Sequence, residues 1–306
     1  MWENAELYRI FCDLIPLIRG YRVKDKIAQK KEEQHTMNDL RKATTYEGKP
    51  FGKMIRKVAE MVNPIVEKAI AGKKLKISEY LVLVLAIWVV FHRNGENNSK
   101  LDGGASVSTE VHDNIYCIAR MKLAMEEIAK QGWTNIICAD CYAESMQRQY
   151  AGLSNRNKLN GFILRNVLIP KKAWKHLNLA GALFYRVQSF GDVENVTEAR
   201  NLLRSCPSYI PCAIWSKNAG IWAEAFRLEG GKPKNVMFVW SSLRINVIEE
   251  VPECIKEWVD HRFTVFSPEY LKEHPEIVIN CGGRSCKSCL LCYKKNNTFD
   301  IFEVLK

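Results

Sequence analysis

The chain has 306 residues, 47% of them hydrophobic, which is enough apolar side chain to bury a sizeable core. Its formal net charge is +11, and the first hundred residues hold 19 Lys and Arg against 12 Asp and Glu. Such a basic segment points to an anionic partner, nucleic acid above all, or to a solvated face. The longest apolar run, Leu81 to Phe91, is too short to span a bilayer, and no small-residue cleavage site follows the apolar segment between Arg9 and Arg19, so a cytoplasmic protein without a membrane partner is expected.

In chain order, Ala5–Ile18 has helical apolar spacing that Pro16 interrupts. Lys53–Ala71 places Met54, Ile55, Val58, Met61, Val62, Ile65, Val66 and Ile70 on one face, with Pro64 as a kink and Gly72 as the C-terminal cap. Leu81–Phe91 reads as a buried helix or strand. The turn-rich stretch Asn94–Gly104 divides a basic helical region, 1–95, from a second domain, 96–306. Beyond it, MKLAMEEIAKQGW reads as a helix, and then short apolar runs recur. Ala182–Gln188, Ile210–Trp215, Val236–Trp240, Arg262–Phe266 and Ile277–Asn280 read as strands. Val193–Ser205, Asn218–Leu228, Glu249–Val259 and Pro268–His274 read as the helices between them. The alternation predicts an α/β fold with a parallel sheet: a parallel partial (β/α) barrel with a helical N-terminal region, or else an open doubly wound sheet.

Eleven cysteines without a secretion signal are not expected to form disulfides. Cys12, Cys206, Cys212 and Cys254 lie in apolar or helical segments and read as core thiols. Cys281, Cys286, Cys289 and Cys292, in CGGRSCKSCLLC, form a metal signal. Three of them follow at successive two-residue gaps, as in bacterial ferredoxins, whereas zinc sites set paired ligands further apart. An iron–sulfur cluster is therefore expected, with zinc as the alternative. Cys138 and Cys141, in CADCYA, could be a redox pair, half a zinc site or a cluster edge; Cys117 lies upstream, as ligand or core thiol.

These motifs, in order, resemble a known family. NSKL at Asn98–Leu101, Cys117 in YCIAR, CADCYA at Cys138–Ala143, SFGD at Ser189–Asp192, WSKN at Trp215–Asn218 and the terminal CGGRSCKSCLLCY are similar to the phage "gene product 88" family, over about residues 95 to 293. The resemblance implies a phage or prophage origin and makes Cys117 a ligand beside Cys138 and Cys141. Three cysteines ahead of a barrel, with a further group at the C-terminus, also look like a radical S-adenosylmethionine enzyme, although the compact C-x-x-x-C-x-x-C run is absent. That likeness implies a 4Fe–4S cluster and S-adenosylmethionine as cosubstrate, acting on nucleic acid or a nucleotide.

The polar residues that follow the strands complete the expected site. Asp192 stands as a general base, ligand or substrate anchor, or as the cap of the following helix. Lys217, with Ser216 and Asn218, is placed to hold a polar or anionic group. Ser189, Ser241, Ser242 and Arg244 extend the same rim, Arg244 gripping a carboxylate or phosphate or else pairing with Glu249 or Glu250. No Walker loop, dinucleotide fingerprint or G-x-S-x-G elbow is present. A non-enzymatic nucleic-acid-binding module with a structural zinc is the competing reading.

Overall fold

Short apolar runs with almost no polar alternation build the sheet, as expected of parallel strands covered on both faces. The computed structural model describes residues 50–89, 92–93, 101 and 103–305, apart from 176, 178, 180, 283 and 297. Among these, seven strands follow one another in strict order: β1 (His92–Arg93), β2 (Gly104–Val107), β3 (Phe184–Val187), β4 (Cys212–Ser216), β5 (Val236–Ser241), β6 (His261–Phe266) and β7 (Asp300–Val304). The short β1 pairs antiparallel with β2, and β2 to β7 form a six-stranded all-parallel sheet. The order never reverses, so the sheet is not doubly wound.

The helices are α1 (Pro50–Ile70), α2 (Ile77–Val89), α3 (Ile115–Gln131), α4 (Tyr142–Gln149), α5 (Ala151–Asn166), α6 (Lys171–Trp174), α7 (Val196–Ser205), α8 (Ala219–Glu229), α9 (Pro268–Glu273) and α10 (Cys286–Cys289). The apolar face expected over Lys53–Ala71 becomes α1, and Gly72 follows it with φ 70°. The apolar run from Leu81 is helical and buried through Val82, Leu83, Val84, Ala86 and Ile87. The proposed helix at Ala5–Ile18 lies outside the described residues.

Alternate strand residues divide the core in two. Tyr185, Val187, Cys212, Ile214, Val236 and Phe238 pack with α1, α2, α5, α7 and α8 on what we call the helix face. Phe184, Ala213, Val239, Phe263 and Ile301 point to the opposite face and are covered by Cys292 and Tyr293 of the C-terminal tail. This second face we call the tail face.

Three expectations need correction. Ile277–Asn280 is not a strand: Val278 is 73% exposed, and the segment touches β7 only at its end, where Asn280 hydrogen-bonds Asp300 and Phe302 and Cys281 makes a single bridge to Glu303. The edge beside β6 is taken by β7, whose Ile301 is fully buried. Glu249–Val259 forms only a 3-10 turn at Lys256–Trp258, because Pro252 can neither donate to a helix nor let its predecessor turn into one. β2 is a strand where the glycines suggested only a turn. At Gly104 a Cβ would lie 2.2 Å from the Phe184 ring, so that strand position needs glycine for close packing.

Candidate metal centres and the polar rim

Cys117, Cys138 and Cys141 come from different elements. Cys117 lies in the first turn of α3, and Asn114 fixes it there. The Asn114 Oδ1 accepts the Cys117 N–H at 2.8 Å, and the Asn114 Nδ2 donates to the Asp192 carbonyl at 2.7 Å. Cys138 sits in a 3-10 turn, Ile137–Asp140, and Cys141 precedes α4. Burial pushes the Cys117 thiol up, and the charges of Asp192, Cys141 and Cys138 add to that. Burial also raises Cys138, while the Lys217 ammonium and the Arg120 guanidinium favour its thiolate. Cys117 and Cys138 thus both feel the charge of Asp192 and of Cys141, and the two cations act on Cys138.

The rim around them is built largely by Asp192. Gly191 precedes it with φ 73°, and a Cβ there would lie 2.8 Å from the Thr109 carbonyl oxygen, so the SFGD turn requires its glycine. Asp192 does not cap the following helix; Asn195 does, accepting the Glu198 N–H at 2.9 Å. The Asp192 carboxylate instead accepts three donors: Ser216 Oγ at 2.5 Å, the Lys217 N–H at 2.7 Å and the Val193 N–H at 2.7 Å. Burial raises its carboxyl, against those hydrogen bonds and the Lys217 charge. Asp192 is thus a positioning residue that ties the β3 loop to the end of β4.

The remaining rim residues divide by role. Ser216 accepts the Asn218 N–H at 2.9 Å, and the Asn218 Nδ2 donates to the Val193 carbonyl at 3.0 Å, so both hold the loop. Lys217 is not in open solvent: its Nζ donates to Ser241 Oγ at 3.1 Å and its charge reaches Cys138. Ser242 shares a hydrogen bond with Thr264 at 3.1 Å. Ser189 Oγ is buried with no hydrogen-bond partner among the described residues.

Arg244 is elsewhere. It pairs with Glu127 of α3 at 2.6 Å and with Asn135 Oδ1 at 2.5 Å, rather than with Glu249 or Glu250. The backbone beside it does the same work: Ile137 donates to the Leu243 carbonyl at 2.9 Å and Ile245 to the Asn135 carbonyl at 2.7 Å. The loop after β5 therefore clamps the segment that presents Cys138, and the expected anion-gripping arginine is a structural tie.

The tail cysteines gather around one pocket, lined also by Asn280, Arg284 and Tyr293. Cys281 is anchored to β7 by its N–H to the Phe302 carbonyl at 2.9 Å. Ser285 caps α10, which carries Cys286 and Cys289. Leu290 then takes a left-handed conformation, φ 53°, which turns Cys292 inward onto the tail face. Burial pushes the Cys292 thiol up to about 12 against the pull of Arg186, with Cys281, Cys286 and Cys289 adding to the rise. Of the thiols expected in the core, Cys12 lies outside the described residues, Cys212 is buried and Cys206 half-buried, but Cys254 is exposed.

Among the described residues, no three His, Cys, Asp or Glu side chains converge closely enough to hold a single metal ion. The four tail cysteines line one pocket. No helix of the described residues is long and apolar enough to cross a membrane. No family model, curated protein or solved structure matches the chain.

Proposed function

We propose that this chain is an iron–sulfur protein of phage or prophage origin, related to the gene product 88 family, and that it is an enzyme of the radical S-adenosylmethionine type. The carrying observation is that the seven cysteines fall into two spatial groups, one ringing a pocket in the tail and one sharing a field with Asp192 and Lys217. Cys281, Cys286, Cys289 and Cys292 hold one cluster; Cys117, Cys138 and Cys141 hold the other. A cluster held by three thiolates leaves one iron open to the amine and carboxylate of S-adenosylmethionine. Around that iron, Lys217 and Arg120 supply positive charge, while Asn114 and Asp192 fix Cys117 and the rim.

The sheet supports the barrel-type reading. Each of β2 to β6 is followed by its sequence neighbour in the same direction, and right-handed crossovers then place the covering helices on one face, as in barrels. The second cysteine group follows β2 and its rim follows β3, β4 and β5, at the carboxyl ends where such folds build their sites. A nucleotide or nucleic acid is our proposed substrate class. Residues 1–49 lie outside the described region, and Lys73, Lys74 and Lys76 form an exposed basic turn after α1.

Paired variants test the two-centre reading. Anaerobically purified Cys138→Ser should lose one share of the iron and Cys289→Ser the other, each keeping the complementary share. Full iron in both variants would overturn the assignment.

A further inference from the structure

The tail face carries a set of polar groups that neither cysteine centre uses as ligands. Arg186 lies on β3, in an otherwise apolar strand, with its guanidinium carbon 4.1 Å from the centre of the Trp215 ring on β4. Trp215 packs edge-on against Phe263, with ring centres 4.6 Å apart. The register puts Ala213, Trp215 and then Lys217 in succession along β4, leading from the tail plug toward Cys138. Cys292 and Tyr293 plug one end of this strip, and the Lys217 Nζ, donating to Ser241 Oγ at 3.1 Å, marks the other.

Charge and hydrogen bonding are unbalanced here. Among the described residues, no carboxylate forms an ion pair with Arg186, Lys217 or Arg120. Arg186 Nε and Trp215 Nε1 are both buried without a hydrogen-bond partner, and so is Arg120 Nε. Arg186 and Arg120 are half-buried, yet an Nε withdrawn from water is costly unless an acceptor meets it, and a guanidinium fork matches carboxylate and phosphate oxygens. A stacked arginine is also held in place before a ligand arrives, which lowers the cost of binding.

We propose that this strip of the tail face, between Cys138 and Cys292, binds an anionic small molecule whose carboxylate or phosphate is gripped by Arg186 and the Trp215 indole N–H. Lys217 and Arg120 direct the rest of that molecule toward the Cys138 centre. The inference deepens the enzyme reading above, since it gives the substrate or cosubstrate class, but the anion grip itself does not depend on which metal the cysteines hold.

The test is calorimetric titration of anaerobically purified protein at low ionic strength, with succinate and with inorganic phosphate as probes. Metal content is measured on every sample. One probe should bind in 1:1 ratio, succinate marking a carboxylate ligand and phosphate a phosphorylated one. Arg186→Gln should weaken that binding at least tenfold, the loss expected for a charge-assisted bidentate contact. Arg186→Lys should lose less. Arg148→Gln, which removes an exposed charge on α4, should bind as the parent does. The proposal is overturned if neither probe binds, or if Arg186→Gln binds unchanged. It is also overturned if Arg186→Gln loses metal together with binding, because the guanidinium then serves as the counter-ion of the tail thiolates. Absence of iron from protein that still binds the probe would remove the iron–sulfur reading and leave the anion site standing.

Discussion

Asp192 shows how one side chain sets the geometry of the rim. Its three donors come from its own loop and from the end of β4, so its removal leaves the Ser216 hydroxyl and two buried N–H groups without acceptors. Asp192→Ala should destabilise the fold by about 3 kcal/mol, summing penalties of about 1 kcal/mol for each orphaned group. Ser216→Ala should cost only about 1 kcal/mol; chemical denaturation of both variants measures the difference, and equal losses would refute the tie. Sequence pointed to Asp192 through its glycine and the strand before it. The residue missed at this scale is Asn114. Its signal was present, an asparagine three residues ahead of Cys117 at a helix start, which is N-cap spacing. What sequence could not show is that the same amide reaches Asp192, 78 positions away.

At the scale of elements, polar ties fix helices that apolar packing alone would leave free to slide. Glu229, at the end of α8, has a side chain only 4% exposed and receives Arg200 at 2.7 Å and Arg204 at 2.7 Å from α7, with Lys171 of α6 at 3.1 Å. Burial pushes its carboxyl up, but the three cations outweigh burial and hold it at about 2, below its ordinary 4.5. A depressed carboxyl pKa stabilises the fold above its unfolded value. That contribution is present above about pH 4.5 and is lost as pH falls toward 2. Glu229→Gln should therefore cost about 2–3 kcal/mol at pH 7 and lose this part of the acid dependence, read by denaturation across pH; an unchanged acid limb would contradict the tie. Arg244 works similarly on the segment before Cys138. Its pair with Glu127 is partly exposed, so Arg244→Ala should cost only about 1 kcal/mol globally. Amide exchange at Ile136 to Cys138 should nevertheless quicken clearly, and unchanged protection there would remove Arg244 from the site.

Most strands and helices after Ala182 were legible because apolar runs of four to six residues alternate with amphipathic ones. The last strand was not. Ile277–Asn280 has the stronger local β pattern, and only tertiary competition for the β6 edge gives that place to Asp300–Val304.

For the whole molecule, the proposed metal site in the tail adjoins the core. Cys292 and Tyr293 cover Phe184, Ala213, Val239, Phe263 and Ile301, while the neighbouring tail cysteines ring the pocket beside them. Metal held by the tail should therefore hold the plug on the tail face, because ligand binding to a site formed only on folding contributes folding free energy. Chelation of the native protein should speed tryptic cleavage at Lys287, Lys294 and Lys295, and equal cleavage rates with and without chelator would uncouple the two. The two cysteine groups were plain in sequence because most of their members come in short spaced runs. The partners of the second group were not, since Arg120 and Lys217 reach Cys138 from separate elements, α3 and the end of β4. The central claim is that these thiols hold iron and sulfide. Iron, zinc and acid-labile sulfide should be measured together in protein purified without oxygen. The account predicts iron and sulfide in equal amounts, at more than one cluster per chain, with zinc near zero. Stoichiometric zinc in colourless protein would contradict it.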